Sequence, residues 1–261
     1  MQDRYVGDVG DFGKYGLLRA LSRPLRGRSR LSLGVVWYLV PDDSNTADGS
    51  KIGYLTLPRD RAAFFRECDP ALYDLLQHVV TGRGRDIQSV AESGMLPAGT
   101  IFFGEPLTFS GVERSEKARR SHRAAWLDAA HKTTAACDLV FLDPDNGLGG
   151  TVLPHRKQGI KYAYPSEARA YLERGQSVVI YHHLGRRGNA RQQIMRQFRR
   201  LVRPGAHGAV FALLYHRGTA RAFFVIESSS HEVQLLDRAR DMLSGPWSRH
   251  FDLVTPSGVP M

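Results

Sequence analysis

The chain of 261 residues contains only two cysteines and lacks any long apolar run. Cys68 and Cys137 lie far apart and in no metal-ligand spacing, which excludes a disulfide scaffold and a cysteine-based zinc site. No run approaches the roughly 18 apolar residues of a membrane span, and residues 1–4 lack the apolar stretch of a signal peptide. We therefore expect a cytoplasmic protein with no membrane partner.

Several well-known catalytic motifs are also missing. The sequence has no Walker A loop, no G-x-S-x-G nucleophile elbow and no H-E-x-x-H metal motif. It also has no G-x-G-x-x-G loop after its first predicted strand, where a dinucleotide or S-adenosylmethionine loop usually lies. The function must therefore be sought in other patterns.

Positive charge is the clearest compositional feature. Lysine and arginine number 36 against 26 acidic residues, which gives a net charge of +10. Such an excess indicates an anionic partner, most often RNA or DNA. Two predicted helices, 113–134 and 189–203, carry dense arginine faces that fit a phosphate backbone: Arg119 and Arg120 on the first, and Arg191, Arg196, Arg199 and Arg200 on the second. The alternative, a simply solvated face, stays open.

The order of apolar segments predicts an α/β fold. Residues 33–40, 139–142 and 177–181 are continuous apolar runs typical of buried parallel strands, with helical patterns between them. Residues 209–215 and 221–227 are joined through Gly218, which indicates a hairpin. We predict one domain over 1–261: an open, mostly parallel, Rossmann-like three-layer sheet with an antiparallel C-terminal hairpin. A motif segment, 1–30, packs on the core, 31–261.

Ionisable side chains follow the predicted strands. In open α/β sheets ligands bind beyond the carboxyl ends of the strands, so these side chains mark one candidate site. They are Asp42, Asp43 and Asn45 after the first strand, Asp143, Asp145 and Asn146 after 139–142, His182, His183 and Arg186 after 177–181, and His216 and Arg217 after 209–215. The alternative is that these are ordinary polar loops.

The turn that begins at Asp143 is the most specific of these segments. Asp143 and Asp145 are two residues apart and could share a divalent cation. Alternatively, Asp143 accepts a hydrogen bond from a substrate amine while Asn146 supplies a second polar contact. A plain Asp-Pro, Asn-Gly turn is the third possibility. His182 and His183 point in opposite directions on an extended chain, so one of them at most faces the site; we assign His182 to it.

Segment 7–15, which reads GDVGDFGKY, resembles the opening G-N-x-A-D-V-x-K-H of a family of ribosomal-RNA adenine-N6 methyltransferases. The positions of Gly7, Asp11 and Lys14 match, whereas Asp8 and Tyr15 replace the family's asparagine and histidine. The family's catalytic Asp-Pro-Pro-Tyr motif ends a strand at the point where residues 143–146 read DPDN here, and the terminal hairpin also resembles that fold. Residues 41–45, PDDSN, replace the family's glycine-rich cofactor loop.

This resemblance implies a class I (Rossmann-like), S-adenosylmethionine-dependent enzyme that modifies nucleic acid. Asp143 would orient the target amine, with Asn146, Asp145 and His182 beside it. The cofactor would be bound by residues of the N-terminal segment and of the loop after the first strand: Asp8, Asp11, Lys14, Tyr15, Asp42 and Asp43.

Two alternatives belong to other functional classes. The aspartates Asp8, Asp11, Asp42, Asp43, Asp143 and Asp145 could converge on Mg²⁺ in a nuclease or phosphodiesterase, with Asp143, Asp145 and Asp42 as the preferred ligands and Lys161 or His182 assisting. A non-catalytic nucleic-acid-binding protein with this fold is the other alternative, because the glycine-rich loop is absent.

Overall fold

The structure, a computed structural model, describes residues 2–41, 49–185, 188–202, 208–229 and 234–256, except for the side chain of Arg83. Its centre is a seven-stranded sheet with strands in the order β2-β1-β3-β6-β8-β7-β9. The strands of this sheet are β1 (Leu33–Trp37), β2 (Ile101–Phe103), β3 (Leu139–Asp143), β6 (Ser177–His183), β7 (Val210–Tyr215), β8 (Arg221–Ile226) and β9 (Phe251–Val254). A separate two-stranded sheet joins β4 (Gly147–Leu148) to β5 (Tyr162–Ala163).

The predicted fold class is confirmed. Strands β2, β1, β3 and β6 are parallel, and β8 inserts antiparallel between β6 and β7. Strand β9 is antiparallel to β7 and forms one edge. Every residue of β1, β3 and β8 is buried, as expected for strands that are covered on both faces.

Helices cover both faces of the sheet. They are α1 (Val9–Ser22), α2 (Arg59–Arg66), α3 (Pro70–His78), α4 (Ile87–Glu92), α5 (Glu116–Thr133), α6 (Pro165–Leu172), α7 (Ala190–Leu201) and α8 (Leu235–Leu243). Helices α1, α3, α4 and α8 contribute to one apolar cluster, and α5, α6 and α7 contribute to a second cluster on the opposite face. Within the described residues, no helix is both long and apolar enough to cross a bilayer.

Residues 59–78 contain two helices, α2 and α3, rather than one. Asp69 is the N-cap of α3. Its side chain accepts the amide hydrogen of Leu72 at 3.0 Å, and Pro70 follows at the first helical position. Helix α1 begins at Val9, so Gly10 and Gly13 of the N-terminal segment are helical.

Candidate functional site

A cavity of about 280 Å³ lies at the carboxyl edge of the parallel strands. The chain runs from β1 to β2 on one side and then crosses to β3 on the other, so the crevice beside β1 and β3 is the topological switch point of the sheet. The cavity is lined by the N-terminal segment up to Lys14, by Gly49 and Lys51, by the turn after β3, by the end of β6 and by the start of β8. Ligands of open α/β sheets bind at this carboxyl edge.

Helix α1 brings three predicted residues to the cavity. Asp8 caps the helix by accepting the amide hydrogens of Gly10 at 2.7 Å and Asp11 at 3.0 Å. Asp11 and Lys14 follow at successive turns, so both line the same wall as Asp8. Tyr15 is buried behind this wall, and its hydroxyl lies 3.4 Å from Asp11 Oδ2.

Lys14 joins the helix to the end of β3. Its Nζ lies 2.8 Å from Asp11 Oδ1 and 2.9 Å from Asp143 Oδ2, and all three side chains are almost completely buried. Burial raises the pKa of Asp11 to about 6, even though the Lys14 ammonium opposes that rise. Burial alone would lower the pKa of Lys14, but the two carboxylates raise it well above its ordinary value. The ammonium therefore stays charged.

Arg221, at the start of β8, completes the wall. Its Nη2 lies 3.1 Å from Asp8 Oδ2, and its Nε donates to the Tyr181 hydroxyl at 3.3 Å. The guanidinium occupies the space that a Cβ at Gly10 would need, which accounts for a glycine in the first turn of α1. Three carboxylates and two cations thus form this wall, and its net charge is negative by one when all five groups are ionised.

The turn after β3 is held close to β6. Gly147 adopts a φ of +102°, and a Cβ there would overlap the backbone of His182, so this position requires glycine. The Asn146 amide donates to the Lys161 carbonyl at 2.8 Å, and Lys161 Nζ lies 3.7 Å from Asp145 Oδ2. Asp145 and Asn146 therefore line the cavity, as their position in the sequence predicts.

The two adjacent histidines have different roles. His182 Nδ1 accepts the amide hydrogen of Leu148 at 3.0 Å, and burial lowers the pKa of His182 to about 4. Its ring packs beside Phe224 in the core under α7, away from the cavity. The exposed His183 lines the cavity instead, so the structure does not bring the predicted catalytic His182 to the site.

None of the six arginines predicted to bind nucleic acid lines the cavity. Arg119 donates to the carbonyls of His155 and Glu113, and Arg200 donates to that of Gly149. Arg120 pairs with Glu116 at 2.8 Å, and Arg191 lies 3.9 Å from Asp252. Arg196 and Arg199 are exposed. Arg123, on the same helix as Arg119 and Arg120, is buried against Glu167 at 2.8 Å.

Two predicted cofactor residues, Asp42 and Asp43, lie outside the described residues, as does Arg186. Within the residues that the structure describes, no three His, Cys, Asp or Glu side chains are grouped so that they could hold a metal ion. The Lys14 ammonium lies between Asp11 and Asp143, where a shared cation would otherwise lie.

Sequence reasoning missed Lys51, Tyr181, Thr219 and Arg221, which also line the cavity. The predicted site was built from residues that follow strands. Because β8 runs antiparallel to β6, however, its first residue lies at the same edge as the last residues of the parallel strands: Arg221 is opposite His183. The residues that begin a predicted antiparallel strand should therefore also be considered as site residues, and this would have identified Arg221.

Comparison of the sequence with protein-family models finds no matching family, and comparison with curated proteins finds no similar protein.

Proposed function

We propose that the protein is an S-adenosylmethionine-dependent methyltransferase that modifies an amino group in nucleic acid. The observation that carries the proposal is the cavity at the carboxyl edge of the sheet, where Asp143 ends β3 and is joined by Lys14 to the N-terminal helix. The resemblance of segments 7–15 and 143–146 to adenine-N6 methyltransferases supports the same assignment.

The donor set suits this cofactor. S-adenosylmethionine carries a sulfonium cation, an ammonium group, ribose hydroxyls and a carboxylate, and it supplies a methyl group activated by the positive sulfur. The wall formed by Asp8, Asp11, Asp143, Lys14 and Arg221 carries a net negative charge that favours a cation.

Asp143 is the residue that we assign to the reacting amine. Its Oδ2 accepts from Lys14, and its side chain lines the cavity. In this proposal its second oxygen, Oδ1, accepts a hydrogen bond from the amine, fixes the direction of the nitrogen lone pair and takes up the proton released when the nitrogen is methylated. Asn146 lines the cavity next to it and provides a second polar contact. The contribution of these residues is positioning and exclusion of water.

The charge of the chain and of the cavity mouth supports the proposal of a nucleic-acid substrate. The net charge is +10, and exposed Lys51 and His183 both line the mouth. A phosphate backbone bound there directs a base amine inward toward Asp143. Both cysteines are free thiols, which suits the reducing cytoplasm that we propose as the location.

Transfer of tritium from methyl-labelled S-adenosylmethionine to RNA and to DNA tests the proposal. We expect label to enter one of them and Asp143→Ala to abolish incorporation, because the amine then loses its acceptor. Asp128→Ala, the same change in the exposed pair of Asp128 with Lys132, is the matched control and should retain activity. Cleavage of nucleic acid that requires Mg²⁺, without incorporation, would instead establish the metal-dependent hydrolase. Binding without either reaction would establish a non-catalytic protein.

A further inference from the structure

Strand β9 presents an open edge of the sheet. It pairs with β7. The amide of His216 donates to the carbonyl of His250 at 3.0 Å, so His216 and His250 form a hydrogen-bonded residue pair of this ladder. Such pairs alternate along an antiparallel ladder, so the backbone groups of Asp252 and Val254 face β7. Those of Phe251 and Leu253 face outward, where no strand of the described chain lies beside them.

A groove lies on each face of this edge. The groove between β9 and α7 has a volume of about 550 Å³ and is lined by Arg191, Arg196, Arg199, Met195 and Val254. The groove between β9 and α8 has a volume of about 540 Å³, and its apolar lining is Leu243, Phe251 and Leu253. Arg191 lines both, so the two grooves meet around the strand.

The α7 groove is positively charged. Arg196 and Arg199 are exposed, and neither forms an ion pair with any residue in the described ranges. Asp252 is the acidic side chain among the described residues that line the two grooves, and His216 Nε2 lies 3.0 Å from its Oδ2. The α7 groove is thus lined by three arginines, and the one carboxylate near them, that of Asp252, is already paired with His216.

We propose that the β9 edge binds an extended acidic segment of another protein by strand addition. Successive side chains of such a segment point to opposite faces, so acidic residues enter the α7 groove and apolar residues enter the α8 groove. The outward amide and carbonyl groups of Phe251 and Leu253 pair with the backbone of the segment. This inference does not depend on the proposed catalytic function.

Charge and backbone chemistry favour this occupant over two others. A second copy paired through β9 about a two-fold axis would bring the arginines of two α7 helices together, and like charges repel. Nucleic acid would satisfy the arginines, but phosphate oxygens only accept hydrogen bonds and leave the outward carbonyls of β9 without donors. A polypeptide offers both donors and acceptors at the spacing of the strand.

Fluorescence anisotropy with a labelled peptide of alternating glutamate and valine tests the proposal. We expect binding by the full chain, and a loss of roughly tenfold or more in affinity for Leu253→Pro, which removes an outward amide hydrogen without breaking the ladder to β7. Leu253→Val is the matched control and should bind within about twofold of the unmodified protein. Reversal of Arg196 and Arg199 to glutamate should abolish binding, whereas Arg59→Glu, an exposed arginine on α2, should not.

A second arm keeps the test independent of the folding of Leu253→Pro. The same peptide methylated on alternate backbone nitrogens cannot form the added strand, and we expect it to bind at least about tenfold more weakly. Equal binding of the methylated peptide would overturn strand addition, and equal binding of an alternating lysine–valine peptide would overturn the preference for an acidic segment. Displacement of the peptide by a single-stranded oligonucleotide from wild type and Leu253→Pro alike would assign the groove to nucleic acid. Dimers seen by sedimentation without peptide, and lost in Leu253→Pro, would assign the edge to a second copy.

Discussion

At the scale of single residues, Lys14 is the group on which the site depends. Its ammonium is buried between the carboxylates of Asp11 and Asp143, at 2.8 and 2.9 Å. Breaking a buried ion pair is costly because the partner charge stays buried without compensation. The geometry of the cavity and the stability of the fold are therefore linked through one side chain.

Replacing Lys14 with methionine should lower the free energy of unfolding by about 3–5 kcal/mol at neutral pH, since two buried carboxylates lose their cation. The loss should shrink toward pH 5, because the pKa of Asp11 is already raised to about 6 by burial and rises further without the ammonium. Urea unfolding followed by circular dichroism at both pH values measures this. Lys51→Met, at the exposed mouth, is the control. A pH-independent loss would contradict the coupling.

The lowered pKa of His182 makes a second prediction. The ring has a folded-state pKa of about 4 because it is buried, against an unfolded value near 6.5. The unfolded chain therefore binds more protons between these values, so this histidine should contribute a stability that falls as the pH drops from about 6.5 to about 4.

Substituting glutamine for His182 removes the titrating group and keeps a side-chain acceptor for the Leu148 amide. The acid-induced loss of unfolding free energy should then be smaller than in the unmodified protein, by about 2–3 kcal/mol between pH 7 and pH 4.5. Urea titrations at the two pH values give the difference directly. Identical pH dependence in both proteins would show that His182 is not held neutral by its burial.

At the scale of the elements, α1 is the part that sequence patterns describe least well. Glycine disfavours helices, so the glycines of segment 7–15 suggest a loop. In the structure Gly10, Gly13 and Gly16 form one stripe along α1 that receives the guanidinium of Arg221, the ring of Tyr215 and the ring of Trp247. These three partners lie in the C-terminal third of the chain, so no pattern within segment 7–15 could predict the contacts.

Gly13→Ala tests this packing. Alanine would stabilise an exposed helical position by roughly 1 kcal/mol. Here its Cβ would lie 2.6 Å from the ring of Tyr215, whose hydroxyl donates to the Val9 carbonyl at 2.8 Å. We expect a net loss of about 1–3 kcal/mol in the free energy of unfolding, because the ring must move. Gly150→Ala, in open space, is the control for chemical denaturation. A stabilised Gly13→Ala protein would show that the stripe is not tightly packed.

The ends of the strands were predictable for a simple reason. Apolar runs such as 139–142 mark buried strands, and the residues that follow parallel strands share one edge, so Asp143, Asp145 and Asn146 were found. The choice between His182 and His183 was not predictable from alternation alone. It depends on the register of β6 against β8 and on the β4 amide that His182 accepts from, and both are set by tertiary contacts.

At the scale of the whole molecule, the arginines illustrate the limit of composition. Their excess over acidic residues was visible, but their individual positions were not. Arg119, Arg123 and Arg200 donate to backbone carbonyls of segment 149–162, so these arginines fasten the segment that holds the turn after β3. A count of charges cannot separate such side chains from exposed Arg196 and Arg199.

The net charge of +10 predicts how nucleic-acid affinity depends on salt. Binding that neutralises about three phosphates should weaken by roughly thirtyfold between about 50 and about 200 mM salt, because bound counterions are released. Anisotropy of a labelled oligonucleotide gives the slope, and Lys51→Gln at the cavity mouth should reduce its magnitude by nearly one. A flat salt dependence would contradict a phosphate-binding role for the basic surface.

The central claim is that the cavity binds S-adenosylmethionine, and calorimetric titration with this cofactor tests it most directly. We predict binding in the micromolar range that Asp143→Asn weakens by about tenfold or more, while Asp128→Asn leaves it unchanged. Affinity relative to S-adenosylhomocysteine, which lacks the sulfonium charge, should rise as the pH increases through about 6, where Asp11 gains its negative charge. Absence of binding at millimolar cofactor, or binding that Asp143→Asn does not change, would contradict the account.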